Sequence, residues 1–294
     1  MHSKDAVNNL KSLLRQEVTK FCNRNHRIWK QPILKTINEL KEMNWPAVFF
    51  GGTLRSLIIS RCFNNQLGRP RDIDIVIKGI TLEAIKDHFH DFIARETRFG
   101  GFKLERGGWQ FDVWPLEKTW AFTKDSIGGP EFVKLPETTF FNLEAIAIEV
   151  WPKPGKPRKI YSGDDRFFHG IINKTLEINL EDNPYPQLNI VRALMFAGDL
   201  DFYIGPKLIR YILENSNCIT DEDLEDIQIK HYGYIRLSGS VMQSLIQFIR
   251  NSATANNANV IKLPQSKQAE IWPKNTYKSP HINIRCISNA SDGI

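Results

Sequence analysis

The apolar positions follow two rhythms, one of helices and one of strands, and the switches between them divide the chain. Residues 4 to 24 place Val7, Leu10, Leu13, Leu14, Val18 and Phe21 at helical spacing, which predicts an amphipathic helix. Residues 28 to 43 continue as a second helix starting at Pro32, since proline is pre-set for the first helical position. AVFF at 47–50 reads as a short buried strand and runs into Gly51-Gly52. Beyond the glycines, Leu54, Leu57, Ile58 and Cys62 share one helical face, and DIDIVI at 72–77 returns to a strand. Thr81 is placed to cap a helix over LEAIKDHFHDFIARE, with Glu83 in the first turn where the helix dipole favours an anion. GFKLERGGWQFDVWPL at 101–116 reads as two strands joined by Arg106-Gly107-Gly108.

The second half changes character. TFFNLEAIAIEVW at 139–151 fits a strand or a helix. WPKPGKPRKI follows with three prolines, four basic residues and no acid, so it reads as an exposed basic loop. From about residue 186 the pattern is helical, in PQLNIVRALMFAGDL, PKLIRYILENS and SGSVMQSLIQFIRNS. Residues 251–294 are rich in Asn, Ser, Lys and Pro and read as a poorly ordered tail, with INIRCI able to add an edge strand. The expected class is α+β: a catalytic head over 1–150, a helical neck or body over 151–250, and the tail.

The chemistry lies in the apolar strands. An aspartate is a poor strand former, yet Asp72 and Asp74 sit one residue apart in an isoleucine-rich run. Side chains alternate along a strand, so both project from one face while Ile73, Ile75 and Ile77 fill the other. Asp112 shares a face with Gln110 and Trp114 in the later strand, opposite Trp109, Phe111 and Val113. If that strand lies beside the first, three carboxylates converge. Such a trio suits a pair of Mg²⁺ ions, or Mn²⁺, which take hard oxygen ligands. Two ions ~3.5–4 Å apart clamp the attacking and leaving oxygens of an in-line displacement at phosphorus. Gly51 and Gly52 lie between strand and helix, where backbone N–H groups approach a phosphate closely, with Thr53 beside them. Arg55, one turn on, adds a forked donor to the same group.

Bulk properties narrow the setting. Lys and Arg number 39 against 33 Asp and Glu, a net charge of +6 over 294 residues, which suits a polyanionic partner such as RNA or a nucleotide. Lys153, Lys156, Arg158 and Lys159 of the basic loop are the candidate RNA contacts. Cys22, Cys62, Cys218 and Cys286 form no CxxC pair, so neither a disulfide framework nor a zinc site is expected. No apolar run approaches the ~20 residues that cross a bilayer, and the N-terminal stretch is an amphipathic helix rather than a signal peptide. The expected location is cytoplasmic, with no membrane partner.

These residues resemble the nucleotidyltransferases of the DNA polymerase β superfamily, and within it the head and neck of the bacterial-type (class II) CCA-adding enzymes and poly(A) polymerases. The family's Gly-Gly-x-x-Arg-Asp is similar to Gly51, Gly52 and Arg55; its Asp-x-Asp to Asp72 and Asp74; its later strand acid to Asp112. VRALMFAGDLDFYIG at 191–205 is similar to the neck helix, with Arg192 at the family's arginine, and FFNLEAIAI to the stretch FTINALA. GDDRFFHGIINKTLEI resembles the loop and segment that follow it, so the likeness spans about residues 45 to 215. The resemblance implies NMP transfer from an NTP to an acceptor hydroxyl, with a tRNA-like RNA 3′ end as the expected acceptor.

The departures are as informative. Ser56 replaces the family's aspartate after Arg55, and Pro136, Glu137, Thr138 and Thr139 stand where Arg-Arg-Asp handles ribose and triphosphate. Tyr185, Pro186 and Asn189 stand where the neck reads the incoming base. A different or looser nucleotide choice is expected, with Asn189 and Arg192 on one helix face as the candidate replacement. Two alternatives stand beside this one: a toxin-like or defence-associated transferase modifying a protein or tRNA, and a non-catalytic RNA- or nucleotide-binding relative. His88 and His90 point to different sides of a helix, Asp199 and Asp201 sit at a helix end, and Asp164-Asp165 reads as solvated. Trp109, Trp114, Trp120 and Trp151 read better as core than as base-stacking platforms.

Overall fold

A computed structural model describes residues 2–23, 32–63, 70, 72–124, 127–256 and 259–264. Residues 28–31 of the second expected helix, and the INIRCI strand with the rest of the chain beyond 264, lie outside the described residues. The elements run α1 (His2–Cys22), α2 (Pro32–Glu42), β1 (Ala47–Phe50), α3 (Gly52–Phe63), β2 (Ile73–Ile77), α4 (Leu82–Phe89), β3 (Ile93–Thr97), β4 (Gly101–Arg106) and β5 (Trp109–Pro115). They continue with α5 (Trp120–Thr123), β6 (Ala147–Glu149), β7 (Ile160–Tyr161), α6 (Arg166–Ile172), β8 (Thr175–Leu176), α7 (Pro186–Leu200), β9 (Tyr203–Ile204), α8 (Pro206–Asn215), α9 (Asp221–Tyr232), α10 (Gly239–Asn256) and β10 (Ile261–Lys262).

Seven strands form one mixed sheet in the order β3-β4-β5-β2-β1-β6-β7. The β2–β5 pair is parallel and brings Asp74 opposite Asp112. The β4–β5 hairpin is antiparallel, with Arg106 opposite Trp109. Gly107 and Gly108, both at positive φ (54° and 74°), therefore make a two-residue turn that other residues adopt poorly. Arg106 fixes the hairpin to α2 through a fork of hydrogen bonds to Glu39, 2.7 Å each, and lies 4.0 Å over the Phe92 ring.

One face of the sheet packs Phe49, Ile73, Ile75, Ile77, Phe111 and Val113 into the main core with α1, α2 and α3. On the other face Val48, Val76, Leu116, Leu135 and Ala147 form a smaller apolar cluster. By strand alternation Asp74 and Asp112 share this second face with Val76 and Trp114. The face is thus apolar toward one end and acidic toward the other.

Two expectations are corrected, and one left open between strand and helix is decided. The helix expected over 82–96 begins at its Thr81 cap but ends at Phe89, and Ile93–Thr97 instead forms the edge strand β3. Ladder bonds to β4, where Ile93 faces Leu104, outweigh the local helical pattern. The ambiguous 139–151 stretch becomes a 3₁₀ turn at Asn142–Glu144 and then β6. Asp165 is not simply solvated: it adopts φ 64° and holds Lys11 of α1 at 2.8 Å. Helix α9 is not evident from periodicity because it buries little besides Leu224 and Gln228, so its apolar stripe is thin. A capping box of Thr220 and Asp223 starts it, and Gly233 at φ 83° ends it.

Candidate active site

The parallel β2–β5 pairing and the β4–β5 hairpin place four charged side chains on adjacent strands. Asp72 and Asp74 come from β2 and its lead-in, and Asp112 from β5. The fourth is Lys103 of β4, the cross-strand partner of Asp112. Its Nζ lies 2.8 Å from Asp112 Oδ1 and 3.5 Å from Asp72 Oδ2. One amine thus bridges acids from two strands, Asp72 and Asp112. Lys103 is a site residue that sequence reasoning missed. The signal was present: closing the hairpin on Gly107-Gly108 puts residue 103 opposite 112.

The glycine corner stands beside these acids. Gly51 has φ 57°, and its N–H donates to the Ile146 carbonyl at 3.0 Å. A Cβ at Gly52 would lie 3.7 Å from Arg55 Nη2 and 3.9 Å from Asp74 Oδ2. The missing side chain leaves the Gly52 backbone open to close approach, with a guanidinium and a carboxylate nearby. Thr53 is buried, and its hydroxyl donates to the Asp72 carbonyl at 3.0 Å, tying the start of α3 to β2.

Arg55 divides its fork. Nη1 donates to Glu144 Oε1 at 2.6 Å while Nη2 faces Gly52. Arg192 of α7 donates to the same Glu144 oxygen at 2.6 Å. Both guanidinium groups lie over the Phe196 ring, at 4.1 and 5.4 Å. Glu144 therefore joins α3, the helix after the glycines, to α7. Burial pushes its pKa up, but Arg192 and Arg55 outweigh burial and hold the carboxyl below the usual range. For Arg192 burial acts against the charge, and Glu144, then Tyr232 and, more weakly, Asp74 restore it. Glu144 was also missed; an acid inside the apolar run FFNLEAIAI was its only sign.

Other expected site residues lie elsewhere. Asn189 is 1 % exposed and packs beside Tyr211, so the three-apart spacing from Arg192 does not bring it out to a nucleotide. Its neighbour in sequence, Tyr185, forms an edge contact with Phe99 of the β3–β4 turn, with Arg98 5.5 Å over the Tyr185 ring. In the basic loop Lys153, Lys156 and Lys159 are exposed. Arg158 instead donates to Thr19 Oγ1 of α1 at 2.7 Å and to the Val150 carbonyl. It belongs to the docking of α1. Among the described residues no three His, Cys, Asp or Glu side chains are gathered as a ready-made metal cage. The Lys103 amine lies between two of the acids. Among them, too, no helix is long and apolar enough to cross a membrane.

A mixed sheet with paired acids on adjacent strands, a glycine corner opening a helix, and helices α7 to α10 behind make up a fold that this chain shares with solved structures. It resembles solved CCA-adding enzymes in particular. A complex of a CCA-adding enzyme with CTP matches with TM-score 0.55 and 17% identity, over 83% of this chain and 55% of the other. The Thermotoga maritima CCA-adding enzyme complexed with tRNA matches with TM-score 0.55 and 17% identity, over 82% and 54%. An apo form of a CCA-adding enzyme matches with TM-score 0.53 and 18% identity, over 75% and 52%. The chain spans about half the length of these proteins. No family model matches the sequence, and neither does any curated protein.

Proposed function

We propose that this chain is a metal-dependent nucleotidyltransferase that moves NMP from an NTP to the 3′ hydroxyl of a tRNA-like RNA and releases pyrophosphate. The observation that carries the reading is the register that sets Asp74 against Asp112, with one cation bridging Asp112 and Asp72. Carboxylates on neighbouring strands, Asp72 and Asp74 on one and Asp112 on the other, supply the hard oxygen ligands that Mg²⁺ or Mn²⁺ takes. Asp72, Asp74 and Asp112 would hold the metal, which when bound neutralises charge on the transferring phosphoryl group.

The protein's own groups supply the rest. The glycine corner takes the triphosphate, where backbone N–H groups at the start of α3 and the second arm of Arg55 would donate to its oxygens. Glu144 holds the other arm of Arg55 and so fixes its angle. The acceptor hydroxyl attacks the α-phosphorus, and Asp112 takes its proton. The new O–P bond forms as the bond to the β-phosphate bridge breaks, and pyrophosphate leaves along the glycine corner. Positioning and charge neutralisation do most of the work.

Base choice should be loose. The family's base-reading positions carry Tyr185, Pro186 and the buried Asn189. The Tyr185–Phe99 pair offers an apolar, sequence-tolerant surface instead. Incubating the protein with each of four α-labelled triphosphates, bulk tRNA and bulk protein tests the reading. Label is expected in RNA; label confined to protein would favour the protein-modifying alternative and remove the RNA acceptor.

A further inference from the structure

We propose that the half-buried aromatic rim on the acid-bearing face of the sheet seats the single-stranded 3′ end of the RNA acceptor, with Phe50 and Trp114 nearest the carboxylates and Tyr161 and Lys159 at the far end. The inference rests on the transferase reading above and names the surface on which its acceptor lies.

The register of five strands lays this surface out. Asp112 faces Asp74 across the β5–β2 pair. The β1–β2 ladder pairs Phe49 with Ile75, and one further step sets Phe50 across from Asp74. Phe50 in turn faces Ala147 of β6, and Ala147 faces Tyr161 of β7. One row on one face therefore runs from the acids to β7, four strand spacings or about 19 Å. Trp114 stands two residues beyond Asp112 on the same face, and its ring meets Phe50 edge-on at 6.2 Å. Its indole N–H donates to Thr119 Oγ1 at 3.0 Å, which fixes the ring. At the far end Phe132 lies 5.8 Å from Tyr161, and the Lys159 ammonium lies 4.9 Å over the Tyr161 ring.

The division of residue types points to a nucleic acid. The buried members of this cluster, Val48 and Leu116 among them, are all aliphatic. The half-buried members around them, Phe50, Trp114, Phe122, Phe132 and Tyr161, are all aromatic. Aliphatic side chains would seal the cluster equally well, whereas rings add surfaces on which bases stack whatever their sequence. Charge follows the same direction. Glu131 is paired with Lys78, and Glu149 accepts from the Lys159 backbone N–H. Lys153 and Lys156 are exposed on the same loop as Lys159. Bases against the rings and phosphates toward the lysines bring the last hydroxyl of the strand to Asp112 and Asp74.

Fluorescence anisotropy tests this with the full chain and 5′-labelled single-stranded hexaribonucleotides, one intact and one abasic at its last three positions. Wild type is expected to bind the intact strand about 5- to 100-fold more tightly, the scale of a lost base–aromatic stack. Trp114→Leu and Tyr161→Leu keep apolar bulk and remove the ring, so each should lose most of that preference. Equal affinity of wild type for the two strands, no binding of the intact strand, or a preference that both folded variants retain would overturn the inference. The wild-type comparison decides alone if circular dichroism shows that the variants do not fold. Transfer of α-labelled NMP to bulk tRNA is measured alongside. Transfer without a base preference would remove this surface and leave the transferase reading in place. Base-dependent binding without transfer would remove the transferase reading, and the acceptor role of this surface with it.

Discussion

Glu144 sits where two guanidinium groups meet, and much of the site's rigidity depends on it. Arg55 and Arg192 both donate to one of its oxygens. Removing the acid leaves two buried cations facing each other. Glu144→Ala should therefore cost about 3–5 kcal/mol, as breaking a buried pair does, read by urea denaturation at pH 7. The pH dependence has a definite sign. The Glu144 carboxyl is held below its ordinary value in the folded chain, so its stabilisation is complete above about pH 4.3, the value of an unperturbed glutamate. It is lost as pH falls through the lower folded value. The stability gap between wild type and Glu144→Ala should narrow in acid; a gap that stayed constant from pH 7 to pH 3 would contradict the ion-pair account.

The β4–β5 hairpin is the element that carries both Lys103 and Asp112, and its close packing allows little change. A Cβ at Gly101 would lie 2.7 Å from Trp114 Cβ and 2.9 Å from the Val113 carbonyl, closer than atoms sit. Gly101→Ala should push β4 away from β5, costing about 1–3 kcal/mol by overpacking and loosening Lys103 from Asp112. Chemical denaturation reads the first effect; unchanged stability would mean the strands part more easily than their packing suggests. At this scale the sequence was informative where one period dominated. Strands β1, β2, β4 and β5, helices α1, α3, α7, α8 and α10, and the three aspartates all follow from alternation or helical spacing. It was uninformative where tertiary contacts decide. Edge strand β3 forms because β4 offers it a ladder, α9 because its ends are capped, and Asn189 is buried because α8, α9 and α10 pack around α7. The bridging roles of Lys103 and Glu144 depend on pairs of residues distant in the chain, which periodicity does not reveal.

Over the whole molecule, α1 acts as a clasp on the segment around residues 158 to 165. Lys11 reaches Asp165, Arg15 donates to the Arg158 carbonyl, and Arg158 returns to Thr19. The basic loop therefore splits into a structural residue and three exposed lysines, and the two groups should respond differently. Lys153→Ala with Lys156→Ala should leave stability unchanged. Each should lower the salt dependence of tRNA binding, by about 0.7–0.9 in log–log slope for every phosphate that is no longer neutralised. Arg158→Ala should lower stability instead. Filter binding across a salt series, alongside thermal melts, separates the two; unaltered binding in the lysine pair variant would remove the loop from the RNA surface. The net charge of +6 is then steering distributed over the surface rather than a property of one loop.

The central claim is that acids from β2 and β5 meet to transfer a nucleotide. Transfer of α-labelled NMP to bulk tRNA by wild type and by Asp74→Ala, with folding of both verified by circular dichroism, tests it most directly. Labelled RNA is predicted with wild type, and a loss of at least about 10²–10³-fold in the variant, the scale of removing a principal electrostatic group. Equal transfer by the two proteins would contradict it.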